Sequence, residues 1–120
     1  MEQIKKRKDE HIQVCLEKDV TSETSNGLDA FYLEYDALPE IDLEDVNLST
    51  DILGRTLKAP ILIGSMTGGS DWAREINERI ARAAAKFGLG MGLGSQRAML
   101  QHPETLSSYT MRQKNPDIPL

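Results

Sequence analysis

Pro60-Ile61-Leu62-Ile63-Gly64-Ser65-Met66-Thr67-Gly68-Gly69 leads into an amphipathic run that ends at Phe87. Gly88-Leu89-Gly90-Met91-Gly92-Leu93-Gly94-Ser95-Gln96-Arg97 follows. The order reads as strand, glycine-rich loop, helix, strand and loop. Thirty residues separate Gly64 from Gly94, the size of one βαβ unit. Ile61, Leu62 and Ile63 form an apolar run without polar alternation, as in a strand buried on both faces of a parallel sheet. Ser70 is placed to cap the helix, although Ala73 stands where a capping box would carry Glu or Gln. Trp72, Ile76, Ile80, Ala83, Ala84 and Phe87 recur at steps of three and four and predict the packed stripe. Arg74, Glu75, Glu78, Arg79, Arg82 and Lys86 lie opposite, with Glu75–Arg79 and Glu78–Arg82 spaced as i,i+4 pairs. Gly88 stands at the position of a C′ glycine.

The second strand alternates glycine with Leu89, Met91 and Leu93, so one face is apolar and the other has no side chains. A glycine inside an element costs ~0.5–1 kcal/mol relative to alanine, so something needs the room. Either neighbouring protein atoms fill it, or a flat ligand approaches the bare backbone.

Composition narrows the class. The 120 residues carry a net charge of −5, with 39% hydrophobic and 28% charged residues, as expected of a soluble globular protein. No apolar run approaches the ~20 residues of a membrane span, and there is no signal-peptide core. The acidic balance argues against a nucleic-acid partner. Cys15 is the single cysteine, which excludes a disulfide framework and points to the cytoplasm. A single βαβ unit covers neither face of its sheet, and a complete (β/α)₈ barrel takes roughly 250 residues. The expectation is an N-terminal piece of a larger fold, with Asn115 to Leu120 approaching a third strand.

Residues 1–51 divide into an arm and an acidic lead-in. Lys5-Lys6-Arg7-Lys8 opens a short helix with Ile12 and Leu16 on its packed side. The basic run is either a solvated terminus or an arm that clamps a phosphate, for which Arg offers a planar fork and Lys a mobile charge. His11 by itself reads as a surface residue. Residues 17–51 carry eleven acids against one base, too thinly spread for a metal site. Leu28 to Tyr35 reads as a packing segment and Ile41 to Leu48 as extended. Residues 52–120 hold the first βα units, opened by a hairpin with Gly54 at its turn. Pro103 is placed to start a further helix, with Leu106, Tyr109 and Met111 on its apolar side.

No Ser-His-Asp, Cys-His or paired-carboxylate arrangement follows from spacing. The usable chemistry sits on two loops, Ser65-Met66-Thr67-Gly68-Gly69 and Ser95-Gln96-Arg97. In a parallel α/β fold these lie together at the C-terminal face, where ligands bind. Hydroxyls and free amides suit phosphates and heterocycle edges. The same loops could equally be plain turns.

Three blocks together resemble the type 2, FMN-dependent isopentenyl-diphosphate isomerases. They are Arg7-Lys8-Asp9-Glu10-His11, Leu53-Gly54-Arg55 through Gly69, and Gly92 through Arg97, in order and at consistent spacing. The resemblance runs from about Lys5 to the last residue and covers roughly the first third of such a protein. It implies an α/β fold, the N-terminal portion of a (β/α)₈ TIM barrel with a helical arm, cut before the barrel closes. It also implies interconversion of isopentenyl and dimethylallyl diphosphates, with reduced FMN as the acid/base, NADPH as reductant and Mg²⁺ on the diphosphate. Arg7, Lys8, Ser95, Gln96 and Arg97 match substrate-binding positions. Ser65, Met66, Thr67 and Ser95 match FMN contacts. The resemblance assigns no catalytic side chain, the flavin being the implied acid/base, and places no metal ligand within these residues; a homo-oligomer is implied for the full-length protein. Under this resemblance the bare strand gives an isoalloxazine ring room at Gly92. The rivals are an FMN-dependent α-hydroxy-acid oxidoreductase, whose barrel begins with a similar Leu-Gly…Ala-Pro-Ile approach, and a non-catalytic fragment that associates through open sheet edges.

Overall fold

The computed structural model describes residues 2–119. Helix α1 (Glu2–Glu17) carries the basic arm, and a largely exposed segment connects it to a small α/β core. In that core β1 (Thr50–Ile52) and β2 (Arg55–Leu57) form the expected antiparallel hairpin, Ile52 opposite Arg55. Its two turn residues, Leu53 (φ 51°) and Gly54 (φ 73°), both have positive φ, the conformation of a type I′ turn. Strand β3 (Leu62–Ile63), helix α2 (Asp71–Phe87) and strand β4 (Gly90–Met91) make the βαβ unit. The two strands run parallel, Leu62 opposite Gly90 and Ile63 opposite Met91. A short helix α3 (Arg97–Gln101) and 3₁₀ turns at Pro103–Ser108 and Met111–Gln113 follow.

Local chemistry fixes both ends of α2. Ser70 Oγ accepts a hydrogen bond from the Ala73 amide at 3.2 Å, a cap worth about 1 kcal/mol. At the other end Gly88 turns left-handed, and its amide reaches the carbonyls of Ala84 and Ala85. Asp71 in the first turn and Lys86 in the last suit the helix dipole.

The packed face of α2 differs from the one its large residues suggest. Ala73, Asn77, Ala81 and Ala84 are buried and Ile76 and Ile80 half-buried, while Trp72 and Phe87 lie toward solvent, Phe87 58% exposed. The small side chains allow a close approach to β4 and to the 3₁₀ turns, and the bulky ones stand at the margin. The core consists of Ala81, Ala84, Met91, Met111 and Ile118, with Ile63, Ile80, Leu89 and Leu93 packed against it. Ile118 arrives there because the Met91 amide donates to the Pro119 carbonyl at 3.0 Å, which lays residues 118 and 119 beside β4.

Several expectations are corrected. Ile61 and Leu62 are not buried on both faces; Leu62 is 56% exposed, because β3 has β4 on one side and α2 covers one face. On α1 only Ile12 is buried, and Leu16 is 71% exposed. Phe31, Tyr32, Leu33 and Tyr35 are exposed and not packed into the core, and a 3₁₀ turn at Leu43–Asp45 interrupts the extended reading of 41–48. This stretch is built from local turns in which side chains accept from amides two residues on. Examples are Asn26 Oδ1 from Leu28, Asp36 Oδ1 from Leu38 and Asn47 Oδ1 from Ser49. It stands away from the core, and the radius of gyration is 18.3 Å against about 14 Å for a compact domain of this length. Leu106 is exposed, whereas Tyr109 and Met111 are buried as expected. Among the described residues Glu78 pairs with Lys114 at 2.8 Å and not with Arg82, and Glu75–Arg79 forms no ion pair. No helix among the described residues is long and apolar enough to cross a membrane.

Two outcomes follow for stability. Leu53 holds a left-handed conformation with its side chain exposed, so Leu53→Asn should stabilise by about 0.5–1 kcal/mol in chemical denaturation. The Glu78 carboxyl is lowered from 4.5 chiefly by the hydrogen bond from Lys114, against partial burial and with help from the charges of Lys114, Arg74 and Arg82. A depressed carboxylate contributes stability that is fully present above pH 4.5 and is lost as the pH falls through its folded value. Lys114→Met should flatten that acid limb of the stability profile.

Candidate functional site

Parallel pairing of β3 with β4 delivers their trailing loops to one rim. The Gly92 amide donates to the Ile63 carbonyl at 2.8 Å, and two residues further the Gly94 amide donates to the Thr67 carbonyl at 3.2 Å. A Cβ at position 94 would lie 2.6 Å from the Thr67 carbonyl oxygen, so this approach requires glycine. Protein atoms fill the bare strand face at Gly90 and Gly94. The Leu62 side chain occupies the space beside Gly90, Thr67 the space beside Gly94, and Ser65 stands 3.1 Å from a Cβ placed on Gly92. Ser65 would crowd a side chain at Gly92, while both residues border a cavity of about 450 Å³. Gly64, at the end of β3, instead faces open space.

Behind the rim lies a buried polar network that sequence reasoning missed. Asn77 Nδ2 donates to the Thr67 and Ser108 carbonyls, both at 3.1 Å. Ser108 Oγ accepts from the Gly69 amide at 2.8 Å and donates to the Thr105 carbonyl at 2.7 Å. The Tyr109 ring fills the space against Gly68, and its hydroxyl donates to the Ser95 carbonyl at 3.1 Å. Burial raises the Tyr109 phenol above its ordinary 10.0, which keeps it a donor at neutral pH. One signal was available. Asn77 shares its helical phase with Ala73, Ala81 and Ala84, and a polar residue in such a stripe needs partners.

The arm meets this rim. Arg7 and Lys8 of α1 join Ser95, Arg97, Ala98 and Gln101 around a cavity of about 250 Å³. No carboxylate lines it, and Arg7, Lys8 and Arg97 form no ion pair among the described residues. The expected substrate positions thus converge, apart from Gln96. That residue is the exposed N-cap of α3 and does not line the cavity. Arg97 lies not on an open loop but in the first turn of α3.

The expected FMN contacts separate. Ser65 lines an apolar cavity of about 450 Å³ with Ile63, Gly64, Met91 and Gly92. Met66 is 66% exposed and Thr67 only 3%; both border a recess of about 40 Å³ with Lys8, His11 and Cys15. The Thr67 carbonyl already serves the Gly94 amide and Asn77, so Thr67 acts first as a structural joint. Among the described residues no three His, Cys, Asp or Glu side chains gather as a metal site.

A family model described as FMN-dependent dehydrogenase matches residues 2–109. The isopentenyl-diphosphate delta-isomerase of Rickettsia prowazekii (strain Madrid E) is 48% identical over 114 residues, 95% of this chain and 33% of that protein. The protein of the same name from a Synechococcus strain is 50% identical over 113 residues, 93% of this chain and 32% of its own length. The chain spans about a third of the length of the curated relatives it matches.

Removing Asn77's amide leaves two buried carbonyls without that donor. Asn77→Leu should destabilise by about 2 kcal/mol in urea denaturation, and Gly94→Ala should produce a comparable loss by forcing the two loops apart.

Proposed function

The chain belongs to the FMN-dependent dehydrogenase family, and from that premise we propose that it forms the diphosphate-gripping, flavin-facing third of an isopentenyl-diphosphate isomerase. The observation that carries this reading is the convergence of Arg7 and Lys8 with Ser95 and Arg97 around one cavity. Three cations with no carboxylate among them form a site that favours a multiply charged anion. Arg7 and Arg97 can each present a planar fork to phosphate oxygens, while Lys8 supplies a mobile point charge. The Ser95 hydroxyl adds a neutral donor. Its backbone is fixed by the Tyr109 hydrogen bond to the Ser95 carbonyl.

In this reading the βαβ unit is the opening of a (β/α)₈ barrel, with the rim at its C-terminal face. The residues present fit the edge of a flavin. Gly64 offers uncovered backbone, and Ser65 a hydroxyl, in an apolar cavity of about 450 Å³. When bound, reduced FMN would supply a proton to one carbon and accept one from another, the exchange that shifts a double bond by one carbon. The chain's own residues do the rest. Arg7, Lys8 and Arg97 hold the diphosphate, Ile63 and Met91 give an apolar wall for a hydrocarbon chain, and the Thr67–Gly94 joint sets the spacing between them. A fixed anchor remote from the reacting carbons is how binding energy orients a small substrate. NADPH as reductant, Mg²⁺ on the diphosphate, a homo-oligomer and a cytoplasmic location complete the proposal.

The family description also names dehydrogenases, which supports a second reading, flavin reduction by an α-hydroxy acid. A chimera tests both. Fused to the remaining two thirds of the Rickettsia prowazekii relative, the chain should bind flavin and interconvert isopentenyl and dimethylallyl diphosphates. Arg7→Gln combined with Lys8→Gln should raise KM for isopentenyl diphosphate at least about tenfold. Flavin reduction by α-hydroxy acids without isoprenyl turnover would overturn the isomerase reading.

A further inference from the structure

Ile12 is the one buried side chain of α1, and Ile4, half-buried, adds an apolar edge beside Ala98 at the cavity, so apolar packing holds the arm to the core only lightly. A second attachment is polar. Asp9 Oδ1 accepts a hydrogen bond from Ser70 Oγ at 2.6 Å across 61 residues of sequence. Asp9 and Ile12 are three residues apart and so share one face of the helix. Ser70 is also the N-cap of α2, where its oxygen accepts from the Ala73 amide. A serine hydroxyl has one proton and two lone pairs. With a lone pair engaged by the cap, the proton is aimed at the Asp9 carboxylate, which also lies at the positive end of α2.

We propose that Asp9 is a positioning residue that latches the arm to the N-terminus of α2, so that Arg7 and Lys8 stand over Ser95 and Arg97. A polar latch three residues from the buried anchor fixes the direction of a helix more firmly than light apolar packing alone. Arg7 and Lys8 immediately precede the latch, so a pivot at Ile12 would carry them away from Ser95. Asp9 does not line the anion cavity and acts through the arm that carries Arg7 and Lys8. The latch stands on its own geometry, whereas its consequence for a diphosphate rests on the reading of the cavity given above.

The sequence supplies its own probe, because Trp72 is the single tryptophan and Cys15 the single cysteine. Cys15 is exposed on α1, and Trp72 lies in the first turn of α2. The full chain is labelled at Cys15 with an acceptor of tryptophan emission, and energy transfer is measured beside inorganic pyrophosphate affinity by calorimetry. Asp9→Ala should lower the transfer and weaken pyrophosphate about tenfold. Asp9→Asn keeps an acceptor oxygen in place and should restore most of both. Arg7→Gln should weaken pyrophosphate without changing the transfer.

Equal transfer in Asp9→Ala and the unsubstituted chain would overturn the latch. So would a loss of transfer accompanied by loss of far-ultraviolet helicity, since Asp9 would then support the helix and not its docking. If pyrophosphate does not bind the unsubstituted chain while Asp9→Ala still lowers the transfer, the latch is supported and the diphosphate reading falls.

Discussion

The hydrogen bond from the Gly94 amide to the Thr67 carbonyl, 3.2 Å, holds the functional end of this molecule together. A parallel pair of strands guarantees only that its two exits point the same way. Bringing those exits into contact needs a backbone that can approach another backbone, and at position 94 any side chain would enter the Thr67 peptide. The Thr67 carbonyl then takes a second donor from Asn77, which uses both lone pairs. One peptide unit thereby joins the loop after β3, the loop after β4 and helix α2. Ser108 and Tyr109 extend the joint to the 3₁₀ turns through Gly69 and Ser95. A buried network of this kind rigidifies because every member is satisfied.

Rigidity on one side of the anion cavity contrasts with sparse attachment on the other. Ser95, Ala98 and Arg97 belong to the joined rim, while Arg7 and Lys8 ride on a helix with one buried residue. Three like charges around a cavity repel one another, and nothing among the lining groups neutralises them. Mutual repulsion favours swinging the arm outward, so a compensating attraction near the arm has structural value. The Asp9–Ser70 contact provides it next to the two arm cations, without placing a carboxylate in the cavity itself.

Much of this was legible in the residues. Ser70, the i,i+3/i+4 periodicity and Gly88 marked both ends of α2, and Gly54 marked the hairpin turn. The strand–loop–helix–strand order implied the shared rim on which Ser65 to Thr67 and Ser95 to Arg97 meet. What could not be read depended on tertiary contacts. The large residues Trp72 and Phe87 suggested one packed face, but proximity to β4 favours alanine and selects the neighbouring one. Phe31 and Tyr35 read as a packing segment because composition reports a tendency to be buried, not the presence of a partner. The Thr67 hydroxyl was visible in the sequence, while the structural role of its carbonyl was not. Asp9 was hidden inside a charged run, where a carboxylate is ordinarily solvated.

Anchoring and desolvation are separable here. The arm-and-rim cavity draws its cations from α1 and α3 and its hydroxyl from the rim, so the charge it presents is local to these residues. The apolar cavity beside β3 differs. Leu62 and Leu53 border it, yet they are 56% and 93% exposed, so water reaches its walls. Charge stabilisation at a hydrocarbon centre depends on excluding that water, whereas holding a diphosphate in a cluster of cations does not. The apolar run Ile61-Leu62-Ile63 is suited to cover on both faces and has it on one. An anion should therefore bind at the arm-and-rim cavity whether or not the open face of β3 is covered, while chemistry on a hydrocarbon requires that face to be closed.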